Sequence, residues 1–354
     1  MGAYARTLAE APPGSALGNA EFSVRVLQLT DRAFCVIAPT KGACWLTSLA
    51  ATYGQAARDE VAREVSGARA LVFDALSRLA AFGLRAFRAD HAVYPNHLLF
   101  STSLYGDWSG DDLPPALEAL RAAFPDRAII WRSLNEEDNS QLVRRMTELG
   151  GRRLLSRIVW RVTNAERDWA PRRDARDDRR LASTHGLRVE ATQAPTEAEI
   201  ARALGLYGDL YRAKYSRTNP DYRPALLRSA VEKGVLTLRF IRNSASEIEG
   251  FTVEHVYQGA LVNPMLGYDQ ALPQSRGLYR IAMAASAERA LAEGLILNYS
   301  AGAAAFKRNR GARPALEFSM VFDDHLPAWR RLAYRGLAAA LDAMAPMLER
   351  IALK

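Results

Sequence analysis

The chain has 354 residues, with 47 Lys and Arg against 39 Asp and Glu, which gives it a formal net charge of +8. Its content of 49% hydrophobic and 24% charged residues is typical of folded globular proteins and excludes an intrinsically disordered chain. Only five of the basic residues are lysines, so the positive charge reflects an arginine-rich composition and does not by itself indicate a nucleic-acid partner. The length predicts about two domains.

Several classes of protein are excluded by what the sequence lacks. Cys35 and Cys44 form no CxxC pair, and the histidines form no pair at helical spacing, so we expect neither a disulfide scaffold nor a metal site. No stretch approaches about 18 uninterrupted apolar residues, and residues 1–20 have no signal-peptide pattern. We therefore expect a cytoplasmic protein without a membrane partner, in which both cysteines are small core residues.

Hydrophobic periodicity divides the first half into strands and helices. We predict strands at 22–29 and 33–38, helices at 55–65 and 68–79, a strand at 98–101, a helix at 114–123, a strand at 127–131, a helix at 138–149 and a strand at 154–162. Residues 1–20 are expected to be flexible. Residues 163–187 break the periodicity and are dense in Arg and Asp, which predicts an exposed linker.

The second half repeats this alternation. We predict helices at 196–215 and 224–233, strands at 235–241, 249–257 and 260–268, a helix at 277–293, a strand at 295–299, a helix at 301–309, a strand at 315–322 and a final helix from about residue 327. Each half contains strand, helix, strand, helix and strand in that order. In each, the last helix runs into a Gly-x-Arg sequence, at Gly151 and at Gly311. This order predicts a duplicated unit.

The most informative loop leads from the strand at 260–268 into the helix at 277–293. Gln274, Ser275 and Arg276 stand at the start of this helix, where free backbone N–H groups and the positive end of the helix dipole favour a phosphate. Gly277 would let the backbone approach a pyrophosphate closely. An ordinary strand-to-helix turn with a surface arginine is the alternative interpretation.

This loop resembles the pyrophosphate-binding loop of the GNAT acyltransferase superfamily, Gln/Arg-x-x-Gly-x-Gly/Ala. Gln274, Gly277 and Tyr279 stand at the three motif positions, with Tyr279 where the family has Gly or Ala. The segment 293–313 is similar to the end of the GNAT fold. Within it, Ser300-Ala301-Gly302, Phe306-Lys307 and Arg310-Gly311 resemble the Fem-like branch, and residues 211–222 are similar to that branch's substrate-side helix and loop.

The resemblance implies a mixed α/β fold of two tandem GNAT-like domains. We place a degenerate GNAT-like domain at 21–162, the Arg/Asp-rich linker at 163–187, and the donor-binding domain with its C-terminal helix at 188–354. The implied activity is transfer of an acyl group, in the first place acetyl, from acyl-CoA to an amine of a small molecule or peptide. Two alternatives remain open: a Fem-like transferase that uses aminoacyl-tRNA, and a catalytically inactive binding protein. A homo-oligomer formed through the last helix is also left open.

Amide formation requires a proton acceptor, a proton donor and a group that stabilises the carbonyl oxygen. The side chains of Glu254 and His255 point to opposite faces of one strand, so at most one of them faces the cleft, and Glu254 is our candidate base. Tyr299, at the end of the strand predicted at 295–299, is the candidate proton donor, and the backbone N–H groups of Leu266 and Gly267 are the candidates for the carbonyl. A solvated or paired Glu254 and a partly buried strand-end Tyr299 are the alternatives.

Lys307 and three residues of the 211–222 segment are the candidates for substrate binding. Lysine is scarce in this chain, and an ammonium facing a cleft could hold a carboxylate or phosphate. Tyr215, Asn219 and Tyr222 could line an acceptor pocket. An exposed helix lysine and an ordinary helix exit are the alternative interpretations.

Overall fold

The structure, a computed structural model, describes residues 2–29, 32–59 and 67–353. Its strands are β1 (Ala20–Gln28), β2 (Ala33–Gly42), β3 (Ala92–Pro95), β4 (Ala128–Leu134), β5 (Arg152–Val162), β6 (Arg188–Thr192), β7 (Thr237–Arg242), β8 (Ile248–Tyr257), β9 (Ala260–Tyr268), β10 (Ile296–Asn298) and β11 (Arg313–Phe322). Its helices are α1 (Gly2–Glu10), α2 (Ala68–Ala86), α3 (Leu113–Ala123), α4 (Glu136–Glu148), α5 (Arg173–Thr184), α6 (Glu197–Tyr207), α7 (Pro224–Glu232), α8 (Leu278–Glu293), α9 (Ala304–Asn309) and α10 (Ala328–Leu353). Single π-helical turns cover Ala51–Ala56, Ala165–Trp169 and Gly208–Ala213, and a 3-10 turn covers Gln274–Arg276.

The strands of the described residues form one eleven-stranded mixed sheet. Its order is β1-β2-β3-β4-β11-β5-β10-β9-β8-β7-β6. The last strand of each half is exchanged: β11 lies between β4 and β5, and β5 lies between β11 and β10. The β5–β11 ladder is antiparallel and runs from Arg313 opposite Arg161 to Val321 opposite Arg152. The two halves therefore share the centre of the sheet.

The repeated element order is present in the structure. The order β3-α3-β4-α4-β5 in the first half matches β9-α8-β10-α9-β11 in the second. In each half the first two of these strands pair in parallel, as expected for a strand–helix–strand crossover. The predicted mixed α/β fold is confirmed. The division into domains at 21–162 and 188–354 remains a prediction.

The largest hydrophobic cluster is continuous across both halves. It includes Tyr4 of α1, Leu154 of β5, Leu227 of α7 and Tyr334 of α10. Cys35 and Cys44 are both free and buried, as predicted. Because the same cluster contains side chains from both halves, burial of apolar surface couples them energetically.

Two expectations about irregular segments are wrong. Residues 2–10 form α1, because Tyr4, Ala5 and Leu8 lie on one face of the helix and are buried. The predicted linker contains a π-helical turn and α5. Helix α5 is amphipathic through charge: the buried Asp178 faces the protein, and its arginines face solvent. A search for apolar periodicity does not detect such a helix.

Two predicted elements in the first half also differ. Residues 98–101 are irregular, although Leu98, Leu99 and Phe100 are buried; the strand lies earlier, at β3. A short apolar run cannot by itself distinguish a buried loop from a strand, and Leu99 has φ +65°, which no strand allows. In the helix predicted at 55–65, residues 55–59 are helical and the remainder lies outside the described residues.

The exchange of β5 and β11 makes a prediction about fragments. Fragments 1–162 and 163–354, expressed separately, should fail to fold, because the first loses β11 between β4 and β5 and the second loses the neighbour of β10 and β11. Co-expressed, they should form a folded complex, measured by size-exclusion chromatography and circular dichroism. A cooperative melting transition in isolated 1–162 would contradict this coupling.

Candidate active site

The sheet opens between β9 and β10. The two strands pair only from Ala260–Val262 against Ile296–Asn298. The chain after β10 then turns toward β5: the Tyr299 N–H donates to the Trp160 carbonyl at 2.8 Å, and the Trp160 N–H donates to the Ser300 carbonyl at 3.2 Å. We call the opening between residues 263–268 and 299–303 the splay. It lies where the GNAT resemblance places the acyl donor.

Aromatic side chains occupy the splay. The rings of Tyr268 and Tyr279 are 6.4 Å apart, and those of Tyr279 and Phe306 are 4.9 Å apart. Leu266 and Tyr299 are buried in the same hydrophobic cluster. The bulky Tyr279, at the motif position where a small residue is expected, therefore packs between Tyr268 and Phe306.

The predicted phosphate loop has the expected backbone but not the expected charge. Gly277 has φ +65°, a conformation that favours glycine. Arg276, however, donates two hydrogen bonds to Glu249, and these raise the pKa of the guanidinium. A Cβ at Gly277 would lie 2.8 Å from Leu181 of α5, so the glycine accommodates helix packing. The charge of Arg276 is neutralised, and Gln274 and Ser275 remain exposed beside it.

The two candidate backbone donors lie on β9. Leu266 is opposite Thr252 and Gly267 is opposite Phe251 in the ladder with β8. Successive N–H groups of a strand point to opposite sides, so at most one of the two can face the splay. A Cβ at Gly267 would lie 2.8 Å from the backbone of Tyr207. Glycine is therefore required here because α6 approaches the strand closely.

Glu254 lies in a closed ion-pair network. Its carboxylate is buried and accepts hydrogen bonds from Arg239 at 3.0 Å to each oxygen, and from Arg289 at 2.9 Å. Ser286 donates a further bond at 2.9 Å and receives one from Asn263 at 2.7 Å. Both carboxylate oxygens are thus occupied by guanidinium and hydroxyl donors, and the side chain is closed off from a substrate. We therefore do not retain Glu254 as the base; it connects β7, β8 and α8.

Tyr299 is placed where the sequence predicts it, at the end of β10. It is 2% exposed, and its hydroxyl has no hydrogen-bond partner among the described residues. Burial raises the pKa of the phenol, with smaller electrostatic effects from Arg310, Tyr279 and Asp178. An unpaired buried hydroxyl costs free energy, so Tyr299 is available to donate to a group that enters the splay.

Lys307 is buried, contrary to the alternative of an exposed helix lysine. It is 2% exposed, and its Nζ donates to the carbonyls of Ser300 at 3.1 Å and Ala301 at 2.7 Å. The surrounding loop is strained, because Ser300 and Ala303 have φ of +59° and +48°. Burial, and secondarily the nearby Arg157, lowers the pKa of Lys307 to about 7.

The structure adds two arginines that the sequence analysis missed. Arg157 donates to Glu317 at 2.7 Å and to the Ser101 carbonyl at 2.8 Å. Arg132 is buried, and burial together with Arg157 lowers its pKa. Both guanidinium groups lie over the ring of Trp45, at 5.2 Å for Arg132 and 5.5 Å for Arg157.

We call Arg132, Arg157 and Lys307 the basic cluster. Glu317 is the carboxylate that the described residues place against it. The cluster therefore has an excess of positive charge at the centre of the sheet, which favours an anionic or strongly polar ligand. A sequence signal existed: Arg132 and Ser133 are the polar residues near the end of a strand that is otherwise apolar.

The three predicted acceptor-pocket residues are not equivalent. Tyr215 is 39% exposed and packs against Tyr211 at 5.9 Å between ring centres. Asn219 accepts a hydrogen bond from the Trp45 indole at 3.0 Å, and the Tyr222 hydroxyl donates to the Leu99 carbonyl at 3.2 Å. Asn219 and Tyr222 therefore join the two halves; Asn219 is partly buried, Tyr222 is buried and Tyr215 is exposed.

A cavity of about 440 Å³ lies beside β5 and β11. Its apolar lining includes Leu155 and Leu316, and its charged lining consists of the Glu136–Arg153 ion pair together with Glu137 and Asp342. The apolar walls and the excess of carboxylates suit a molecule with an apolar body and a cationic amine.

Across the described residues, no group of three or more His, Cys, Asp or Glu side chains could hold a metal ion. In the same part of the chain, no helix combines the length and apolar character needed to cross a bilayer.

The network around Glu254 predicts a loss of stability. Glu254→Gln should lower the free energy of unfolding by about 3 kcal/mol, because Arg239 and Arg289 would keep their charges without the carboxylate. Glu293→Gln is the matched control: Glu293 also pairs with Arg289 but is about half exposed, so its loss should cost below about 1 kcal/mol. Urea denaturation measures both. Equally small effects of the two substitutions would contradict the network.

Two comparisons with known proteins found matches, one to the sequence of a segment of the chain and one to its overall fold. Residues 171–308 match the sequence model of the acetyltransferase (GNAT) domain. No curated protein matches the sequence at a significant level. Among solved structures, FemX matches with a TM-score of 0.52 at 8% sequence identity, over 95% of this chain and 98% of its own.

Two further structures match over shorter parts. The C-terminal domain of a putative lysylphosphatidylglycerol synthetase from Agrobacterium fabrum has a TM-score of 0.45 at 13% identity, over 62% of this chain and 74% of its own. A GCN5-related N-acetyltransferase from Sphaerobacter thermophilus has a TM-score of 0.35 at 10% identity, over 67% of this chain and 73% of its own. Residues 171–308 therefore match a GNAT acetyltransferase domain in sequence, within a chain whose overall fold is similar to that of FemX.

Proposed function

We propose that the protein is an acyltransferase that forms an amide bond, and that the reaction takes place beside Lys307. The observation that carries this proposal is the placement of Lys307, a buried amine held by two carbonyls of a strained loop at the splay. Loop 301–303 is exposed, so a substrate can reach the amine by displacing it. Strain of this kind is typical of functional sites.

The chemistry needs one group that both accepts and returns a proton. The acceptor nitrogen attacks the carbonyl carbon of the donor, the C–N bond forms, and the C–O or C–S bond to the leaving group breaks. The proton lost by the amine must reach the leaving group. Because the pKa of Lys307 is about 7, the neutral and charged forms are both populated near neutral pH, which suits general acid–base catalysis. Tyr299 stays our candidate for a second proton donor.

The basic cluster supports the same assignment. Negative charge develops on the carbonyl oxygen during attack, and preorganised positive groups in a buried site stabilise it most strongly. Arg157 is fixed by Glu317 and the Ser101 carbonyl, so its charge needs little reorganisation during the reaction. In this proposal the basic cluster stabilises the carbonyl oxygen, a role that we expected for the N–H groups of Leu266 and Gly267.

We propose an aminoacyl ester of tRNA as the acyl donor. Two observations support this donor: Arg276 of the loop expected to hold the pyrophosphate of acyl-CoA is paired with Glu249, and the bulky Tyr279 of that loop packs between Tyr268 and Phe306. A donor attached to RNA does not require that loop.

Helix α5 offers phosphate contacts near the site. Its inner side is tied to α9, since Arg310 donates to Asp178 at 3.0 Å and to Asp174 at 3.4 Å. Arg172, Arg176 and Arg180 are spaced four residues apart, so they form one row on the exposed side. None of the three has a carboxylate partner among the described residues; Arg172 donates to the Asp168 carbonyl at 3.2 Å, and Arg176 and Arg180 are available to RNA phosphates.

Acyl-CoA is the second candidate donor. The match of residues 171–308 to the GNAT domain includes the 274–279 loop and favours it. Binding would require Tyr279 to rotate out of the splay. The acceptor in either case is an amine, and the cavity beside β5, with Glu136 and Asp342 among its lining residues, favours one attached to an apolar small molecule or peptide.

The burial of Lys307 predicts a pH-dependent stability. A buried lysine that must stay protonated destabilises the fold below pH 7, and this penalty fades as the pH rises from 7 to 10.5, where the unfolded lysine also loses its proton. Lys307→Met should therefore be more stable than the wild type at pH 6, on the order of 4 kcal/mol, and the gain should shrink toward pH 10.

The measurement is urea denaturation across this pH range. Lys233→Met, at an exposed lysine, is the matched control and should change stability little at any pH. A pH-independent effect of Lys307→Met would show that the lysine keeps an ordinary pKa, and would remove it as the proton acceptor.

The donor is tested by binding and transfer. Labelled aminoacyl-tRNA and labelled acetyl-CoA are each offered with a mixture of amines. We expect amide formation from the tRNA donor, its loss in Lys307→Met without loss of tRNA binding, and binding that weakens with salt. The double variant Arg176→Gln, Arg180→Gln should weaken tRNA binding about tenfold, whereas Arg85→Gln, Arg335→Gln, which changes the charge equally on α2 and α10, should not.

Other outcomes distinguish the remaining hypotheses. Transfer from acetyl-CoA, with a melting temperature raised by the same ligand, would replace the tRNA donor by acyl-CoA. Donor binding with no transfer to any amine, unchanged in Lys307→Met, would favour the inactive binding protein.

A further inference from the structure

We propose that α2 and the beginning of α10 form a face that binds the surface of a membrane containing anionic lipid. This inference does not depend on the donor or acceptor proposed above. We call this surface the α2–α10 face. It is defined by exposed apolar residues and by the arginines around them.

The α2–α10 face carries most of the large exposed apolar side chains of the described residues. On α2 these side chains are between 60% and 74% exposed, and those at Phe87 and on α10 are between 38% and 56% exposed. They are Leu71, Leu76, Leu79, Phe82, Phe87, Trp329 and Leu332. The rings of Phe87 and Trp329 are 6.5 Å apart, which joins the two helices into one surface. An apolar surface of this extent marks an interaction site.

Arginines border this apolar surface. At 100° per residue, Arg78 and Arg85 follow one edge of the exposed apolar arc of α2. Arg88 follows the end of α2, and Arg331 and Arg335 lie on α10 beside Leu332. Arg85, Arg88 and Arg335 have no carboxylate within ion-pair distance in the part of the chain that the structure describes.

The nearby carboxylates do not cancel this charge. Asp74 is shared between Arg58, at 2.6 Å, and Arg78, at 2.7 Å. Asp323 is buried beneath α10, where the electrostatic effect of Arg331 and Arg335 opposes the increase in its pKa caused by burial. The exposed rim is therefore positive.

This charge distribution selects the occupant. In a symmetric dimer the face would meet its own copy and place arginines against arginines, which is unfavourable. The apolar side chains are instead largely exposed to solvent. Protruding Trp, Phe and Leu with flanking arginines are typical of helices that lie in the interface of an anionic bilayer.

Vesicle flotation tests the proposal on the full chain. The wild type should float with vesicles of phosphatidylcholine and phosphatidylglycerol, much less with phosphatidylcholine alone, and less as salt increases. The double variant Phe82→Ser, Trp329→Ser should lose binding. Arg85→Gln, Arg335→Gln should weaken it several-fold, whereas Arg176→Gln, Arg180→Gln, with the same charge change on α5, should leave it unchanged. Melting temperatures check that each variant is folded.

Three results would overturn the proposal. The first is a wild type that does not float with anionic vesicles, and the second is an equal loss of binding in both arginine double variants. The third is a protein that does not bind vesicles but forms a concentration-dependent dimer, which the double variant Phe82→Ser, Trp329→Ser dissociates. The α2–α10 face would then be a self-association surface.

Discussion

The antiparallel pairing of β5 with β11 is the constraint on which the rest of the structure depends. Each strand ends one half of the chain and completes the sheet of the other. The ladder places Glu317 opposite Arg157, so the ion pair that anchors the basic cluster is formed by residues from different halves. Lys307 lies on α9, the helix that leads into β11, and is therefore positioned beside the same ion pair. The site cannot form before both halves have folded.

The positive charge of the chain is used in different ways inside and outside. Helix α5 turns Asp174 and Asp178 inward to Arg310 and leaves its own arginines in solvent. The network around Glu254 is balanced by a carboxylate and two arginines. The basic cluster, by contrast, holds three basic side chains, and its carboxylate Glu317 pairs with Arg157 and not with Lys307. An unbalanced buried charge costs stability, so its presence at the centre of the sheet is better explained by a ligand than by folding.

Periodicity in the sequence was sufficient to predict the repeated order of strands and helices, because the apolar faces of these elements are long and regular. It failed at α5, whose buried face is built from Ala175 and Asp178, and at residues 98–101, where apolar side chains fill the core from a loop. The candidate site required contacts between distant residues. Glu254 is a plausible base by its position, but Arg289 comes from α8 and satisfies it. Arg157 and Glu317 are 160 residues apart, and a single sequence gives no sign that they meet.

The scarcity of lysine explains why Lys307 is the informative basic residue. Arginine stays protonated even when buried, so none of the many arginines of this chain can exchange a proton near neutral pH. A lysine can, provided that burial and a neighbouring charge weaken its hold on the proton. Lys307 has both, and its two hydrogen-bond acceptors are backbone carbonyls, which stabilise the ammonium without a carboxylate that would restore its pKa. A nearby carboxylate would have made the same lysine a permanent charge.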